Sequence, residues 1–214
     1  MNPILVYADS LSWGIVPGTR ERLAFEKRWP GMMEAELHRQ SFKVRVIEDC
    51  LNGRRTCVDD PSKPGRNGLI GIEQRIEVNS PLSIVIVFLG TNDFQSVHQI
   101  DARQSAKGLA SIVSAIRRAP IEPGMPVPEI LLVAPPKIQS VACEIAKKFE
   151  GAEQKAVGLA DAVKDIADEM KCEFFDAATV TKTSNVDGVH LDAEQHRTLG
   201  HAISARVIRL LERT

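Results

Sequence analysis

Cysteine is sparse. Cys50, Cys57, Cys143 and Cys172 are the four in 214 residues, and no C-x-x-C pair occurs among them. That excludes a small domain stapled by disulfides and points to a reducing, cytoplasmic setting. Excess charge is missing as well: 27 Lys and Arg stand against 28 Asp and Glu, a net charge of −1. No overall field therefore draws the chain onto nucleic acid or an anionic membrane. No apolar run approaches the roughly 20 residues needed to cross a bilayer. The first apolar stretch, residues 4–7, is short and lacks the basic start of a signal peptide. No internal repeat or low-complexity segment occurs, and nothing has H-E-x-x-H or comparable metal-ligand spacing. The expectation is a protein with no metal, no cofactor, no nucleic-acid partner and no membrane partner.

What is present is ordinary for a globular chain: 43% apolar and 26% charged residues over a length that suits one domain, residues 1–214. Short apolar runs alternate with helix-period segments, the pattern of a parallel sheet covered on both faces. Strands are predicted over 4–8, 44–48, 82–89, 130–134 and 172–175. The third, Leu-Ser-Ile-Val-Ile-Val-Phe-Leu, is β-branched enough to be central and buried on both faces. Asp101 to Gln104 and Asp192 to Gln195 read as capping boxes that open helices. Behind them lie the stripes Leu109, Ile112, Val113, Ile116 and Leu199, Ile203, Val207, Leu210. Further helices are predicted over 153–170, with Leu159, Val163, Ile166 and Met170 on one stripe, and over 29–37. The fold class is a single-domain three-layer α/β/α sandwich with a five-stranded parallel sheet, flavodoxin-like, of order 2-1-3-4-5. Residues 14–27 and 50–68 resist a regular assignment. Both follow strands at the sheet's carboxyl edge, where open α/β sheets bind ligands, and loops this long usually have a function.

Four groups at that edge carry chemistry. Ser10, in Ala-Asp-Ser-Leu-Ser-Trp-Gly after the first strand, can present its hydroxyl and its own N–H to one reacting atom. Taken alone it reads first as a capping or turn serine. Asp187 and His190 stand three residues apart before the last helix, and hydrolytic serine chemistry needs a neutral imidazole with a carboxylate to fix its tautomer. His38, His98, His196 and His201 read as ordinary surface or helix residues. Asn92, in Gly-Thr-Asn-Asp after the third strand, can donate its amide to a developing oxyanion, or can simply close an Asx-turn. Gly53 permits close backbone approach and a further N–H donor, or a plain turn. A nucleophile after strand one, donors after strands two and three, and an acid–base pair before the last helix agree in a way that no single signal does. In the 2-1-3-4-5 order, Ser10 and Asn92 face each other across the switch-point crevice, with Gly53 on the neighbouring loop.

These blocks, in this order, resemble the SGNH (GDSL) hydrolase superfamily. Asp9-Ser10-Leu11-Ser12-Trp13-Gly14, Arg28-Trp29, Asp59-Asp60-Pro61, Gly90-Thr91-Asn92-Asp93, Phe149-Glu150-Gly151 and Phe175-Asp176-Ala177 are similar to its bacterial arylesterase and acyltransferase branch. The resemblance implies a serine esterase acting on small, short-chain acyl esters, with transfer of the acyl group to alcohols or peroxide, and a homo-oligomer. It implies Ser10 as nucleophile, His190 as general base and Asp187 as its orienting carboxylate. Ser10 N–H, Gly53 N–H and the Asn92 amide would form the oxyanion hole. Ala8 and Cys50 stand where that family and branch usually have Gly. Trp13 is a candidate for the substrate pocket or for loop packing. Arg54 and Arg55 read as a solvated or salt-bridged pair rather than an anion site. Cys50 and Cys57 read as buried thiols, and Asp9 and Asp93 as carboxylates bonded to nearby backbone. Three other readings compete. A carbohydrate acetylesterase or acyl-thioesterase shares the same site. A non-catalytic small-molecule binder shares the fold. A haloacid-dehalogenase-type phosphatase needs a second Asp two residues after Asp9, where the chain has Leu11.

Overall fold

The computed structural model describes residues 1–140 and 143–213. Its frame is a parallel sheet of β1 (Asn2–Ala8), β2 (Val44–Cys50), β3 (Ile84–Phe88), β4 (Glu129–Ala134) and β5 (Glu173–Asp176), ordered β2-β1-β3-β4-β5. Among the described residues the helices are α1 (Ser10–Trp13), α2 (Trp29–Arg39), α3 (Ile72–Asn79), α4 (Ala102–Arg118), α5 (Ala152–Lys155), α6 (Leu159–Glu169) and α7 (Ala193–Leu211).

Two-residue alternation sorts each central strand onto two cores. Ile4, Val6, Ile84, Ile86, Phe88, Leu131 and Val133 pack with Trp29, Met33 and Leu37 of α2 and Leu199, Ile203 and Val207 of α7. Leu5, Tyr7, Val85, Val87, Ile130 and Leu132 pack with Ile72 and Ile76 of α3, Leu109, Ile112 and Ile116 of α4, and Val163 of α6. Each such side chain taken out of water contributes about 1.5–3 kcal/mol, and burial on both faces is why β3 reads as an unbroken apolar run. The expected helix over 153–170 is two pieces. Gly158 adopts φ +81°, a left-handed conformation that ends any α-helical run, and α6 starts only after it. The sequence reading also passed over α3, whose apolar stripe is just Ile72 and Ile76 within eight residues. Both capping boxes are present, with Gln104 and Gln195 accepting from the N–H groups of Asp101 and Asp192.

Trp29 joins this frame to the functional edge. It is fully buried and tilts against Phe88 with ring centroids 6.0 Å apart. Its indole N–H donates to Ser12 Oγ at 2.9 Å. Its backbone N–H, at the start of a helix with no side-chain cap of its own, donates to His196 Nδ1 at 3.2 Å. His196 is therefore not a surface residue. It is a buried cap lent to α2 by α7, and burial, with Arg28 nearby, pushes its pKa down to about 3 so that the ring stays neutral. Trp29→Phe keeps most of the packing but leaves Ser12 Oγ without its donor. It should lower the unfolding free energy by about 1–3 kcal/mol, read as a shift in denaturant midpoint at constant slope.

Candidate active site

At the carboxyl end of β1 the chain turns directly into α1, a single helical turn. Asp9 precedes it in extended conformation and its Oδ1 accepts from Leu11 N–H at 2.9 Å. The N–H groups of Ser12 and Trp13 donate to the Asp9 carbonyl. A helix start leaves its first N–H groups without intrahelical acceptors. Three of the four here are used, and the Ser10 N–H has no acceptor among the described residues. Ser10 thus offers an uncommitted N–H beside its own hydroxyl.

Asp187 and His190 meet that hydroxyl from the loop before α7. His190 Nε2 lies 3.2 Å from Ser10 Oγ, and its Nδ1 lies 2.7 Å from Asp187 Oδ2. The other Asp187 oxygen accepts from the backbone N–H groups of Val189 and His190 at 3.0 and 2.9 Å. Burial opposes ionisation of Asp187, but the imidazole and these N–H groups outweigh it and hold the carboxyl at about 2. An ionised carboxylate only accepts, so the neutral ring carries its proton on Nδ1 and turns the Nε2 lone pair to the Ser10 hydroxyl. The loop is pinned by Ser184 N–H to the His190 carbonyl at 2.8 Å and Gln139 N–H to the Gly188 carbonyl at 2.9 Å.

Asn92 enters from a 3₁₀ turn after β3, Thr91–Phe94. Rather than closing a local turn, its side chain crosses to β1, where Nδ2 donates to Asp9 Oδ2 at 2.9 Å and, more loosely, to the Arg54 carbonyl at 3.2 Å. Asp9 therefore bonds the neighbouring backbone, as expected, and also a residue 83 positions away. Burial raises its pKa to about 7. Gly53 sits one residue before that carbonyl, and its N–H has no acceptor among the described residues. A methyl group there would reach only Arg66 Nε, at 3.9 Å. The glycine is required by its φ of +83°, not by close approach.

The supporting residues are more buried than the sequence suggested. Of the two expected forms, Arg54 and Arg55 take the salt-bridged one, and both are buried. Arg54 lies over the Tyr7 ring at 3.9 Å, pairs with Asp49 at 2.6 Å and donates to the Ala8 carbonyl. Arg55 is fully buried and pairs with Asp60 at 2.7 Å. Asp93 does not bond local backbone. It accepts from Thr56 N–H and Oγ1 and from Ser105 Oγ, which fastens the 50–68 loop to α4. Gln95, which the sequence reading passed over, bonds Arg55 and Asn92. Trp13 is half-buried under the Arg22 guanidinium, 4.6 Å from its ring, which is loop packing on that face. Cys50 and Cys57 are half-buried free thiols whose pKa values burial raises. The Ala8 methyl lies inside the core that contains Leu11, Trp29 and Phe88. Clefts of about 600 and 400 Å³ open beside the site, the first between Thr91, Pro135 and Leu159 and the second beside Asp187 and Val189; neither is lined by Ser10 or His190.

A hydroxyl, an imidazole and a carboxylate in a row at the carboxyl edge of a parallel sheet define an α/β serine hydrolase. Residues 9–198 match the GDSL-like lipase/acylhydrolase family. The chain belongs to that family, as an SGNH serine hydrolase with its acylhydrolase activity. Among solved structures it is similar to Est24, a carbohydrate acetylesterase from Sinorhizobium meliloti, at 33% identity and TM-score 0.92, covering 98% of this chain and 100% of that one. It is similar to the aryl esterase of M. smegmatis at 34% identity and TM-score 0.92, with the same coverage. A lipase/acylhydrolase from Enterococcus faecalis shares the fold at 14% identity, TM-score 0.68, and 97% and 95% coverage. No curated protein matches the chain in sequence.

The Asp187 environment has a consequence for stability. The carboxyl titrates at about 2 in the folded protein and near 3.9 in an unfolded chain. The unfolded state therefore binds more protons between these values. The contribution is complete above about pH 4 and is lost as pH falls through about 2. Asp187→Asn should flatten the acid limb of stability measured by denaturation at pH 5, 4 and 3. An acid limb as steep as the wild type's would overturn this account of the carboxylate.

Proposed function

We propose that the protein hydrolyses short-chain aryl and alkyl esters through an acyl-enzyme on Ser10. The observation that carries this reading is the continuous contact Asp187–His190–Ser10 at 2.7 and 3.2 Å. Ser10 Oγ attacks the ester carbonyl carbon while His190 Nε2 takes the hydroxyl proton. The carbonyl oxygen becomes an oxyanion received by the Ser10 N–H, the Gly53 N–H and Asn92 Nδ2. Of the two Asn92 bonds, the one to Asp9 is the shorter at 2.9 Å, whereas the 3.2 Å bond to the Arg54 carbonyl is loose. That second hydrogen is the one to be released to the oxyanion. Collapse of the tetrahedral intermediate returns the proton from His190 to the departing alkoxide, and water then repeats the sequence on the acyl-serine.

An alcohol in place of water gives acyl transfer by the same steps. The likeness to a carbohydrate acetylesterase supports a small acyl group, and the likeness to an aryl esterase supports an aryl ester.

Ser10→Ala should leave a folded protein with esterase activity down at least about a thousandfold, and His190→Ala should match it, the double variant losing little more. Near-wild-type turnover in purified Ser10→Ala would falsify the mechanism. A fluorophosphonate should label Ser10 in the wild type. Absence of labelling would favour a non-catalytic binder.

Acyl length tests the substrate class. A tunnel gains about 0.8 kcal/mol per buried methylene, so kcat/KM for a lipase climbs with each carbon. Here p-nitrophenyl acetate and butyrate should be the best of a homologous series, with a steep fall by octanoate. A kcat/KM still rising at octanoate, below the micelle threshold, would point to a lipase or acyl-thioesterase instead.

A further inference from the structure

We propose that Gln95 and Arg55 are positioning residues that fix which end of the Asn92 side-chain amide faces the reacting oxygen. The argument rests on the oxyanion role given to Asn92 above. A side-chain amide has an accepting end and a donating end of nearly the same shape, and packing alone does not choose between them. Here the choice is forced by a relay whose two ends have only one possible role each.

The relay starts at Arg55, whose guanidinium can only donate. Asp60 Oδ2 holds Nη1 at 2.7 Å, and Nη2 donates to Gln95 Oε1 at 2.5 Å. Gln95 must therefore turn its Nε2 to the next partner, and that nitrogen donates to Asn92 Oδ1 at 2.7 Å. Asn92 must then turn Nδ2 the other way, toward Asp9 Oδ2 at 2.9 Å. The same nitrogen reaches the Arg54 carbonyl at 3.2 Å, and a backbone carbonyl can only accept, which closes the chain. Donor-only at one end and acceptor-only at the other, the relay has a single consistent direction.

Reversing Asn92 alone would set its nitrogen against Gln95 Nε2 and its oxygen against both the Asp9 carboxylate and the Arg54 carbonyl. Reversing Gln95 as well would only move the conflict to Arg55. Arg55 and Asp9 are fully buried, and Gln95 and Asn92 are 1% and 5% exposed, so water is not there to take up the mismatched groups. Gln95 is itself held by its backbone, since Lys155 Nζ donates to its carbonyl at 2.9 Å.

Gln95→Glu is the discriminating substitution. It keeps the shape and the bond to Arg55 but presents an acceptor where Asn92 needs a donor. Asn92 should then turn its nitrogen toward Glu and its oxygen toward the site. kcat for p-nitrophenyl acetate should fall about a hundredfold, the usual consequence of misplacing one catalytic group, with KM little changed. Gln95→Met, which removes both bonds without adding charge, should fall less, because Asp9 alone still favours the correct direction.

The decisive comparison is made in an Asn92→Ala background. Asn92→Ala alone should lower kcat by about 10²–10³, and adding Gln95→Glu should cost nothing more. Where the Glu variant does not fold, Gln95→Met carries the same cycle. Additive losses in kcat, or a loss that appears in KM, would overturn the relay while leaving Asn92 as an oxyanion donor. An undiminished kcat in Asn92→Ala would overturn the oxyanion assignment itself, and the relay with it.

Discussion

Asp9 and Asn92 lie 83 residues apart, at the carboxyl ends of two neighbouring strands, and a hydrogen bond with no access to water joins them. A buried carboxylate is costly unless its lone pairs are filled, and Asp9 fills them from two directions. The Leu11 N–H fixes it to the turn that carries Ser10, and Asn92 Nδ2 fixes it to the turn after β3. One carboxylate therefore sets the distance between the hydroxyl on β1 and the amide on β3. Register does the rest. With Ala8 paired to both Cys50 and Phe88, the three strand ends finish level, and the loops that follow them open at one height.

The same logic extends along the carboxyl edge of the sheet. Arg54, Arg55, Asp60, Asp93, Gln95 and Asn92 are all withdrawn from solvent and find their partners within the protein rather than in water. Burial opposes the charge on Asp60, yet the Arg55 guanidinium and Ser62 hold its carboxyl well below the usual range. In Asp93, burial wins and the pKa rises. Such a cluster adds little net stability compared with an apolar core of the same volume, because desolvation offsets most of the pairing. Removing one member strands the rest, which is strongly destabilising. What the arrangement supplies is direction. An apolar floor under Asn92 would leave its amide free to lie either way, whereas a chain of one-way donors and acceptors does not.

Much of this was legible in the sequence, for reasons that differ from element to element. The β3 run and the α4 and α7 stripes were readable because burial on both faces or on one helical face imposes a periodicity. The sheet order came from the alternation of strands and helices, and the triad of Ser10, Asp187 and His190 from the resemblance carried by the blocks after the strands and before the last helix. The parts that escaped were those with no local signature. The split at Gly158 depends on one residue's φ, which a helical stripe running through it conceals. Asp93 looked like a turn carboxylate because its partners, Thr56 and Ser105, are distant in the chain. Gln95 had no signal at all, since its role exists only once Arg55 and Asn92 flank it. His196 was hidden for the same reason: what makes it a cap is a helix start 167 residues earlier.

The two carboxylates near Ser10 show how environment divides labour between identical groups. Asp9 has a single backbone N–H and an amide against complete burial, and its pKa is lifted to about 7. Asp187 is buried too, but two backbone N–H groups, an imidazole N–H and a longer contact from Gly18 at 3.4 Å converge on it, and it stays near 2. A partner for an imidazole that becomes positive must remain ionised throughout the cycle, because a carboxyl that took up the proton would release the ring from its tautomer. Only Asp187 meets that condition with margin at neutral pH. Asp9, closer to Ser10 in sequence, is the poorer choice for that role and the better one for holding Asn92, where a short bond between fixed neighbours matters more than a permanently full charge. Proximity in the chain alone would pair His190 with Asp9. The hydrogen bonds that reach each carboxylate support the proposed pairing with Asp187 instead.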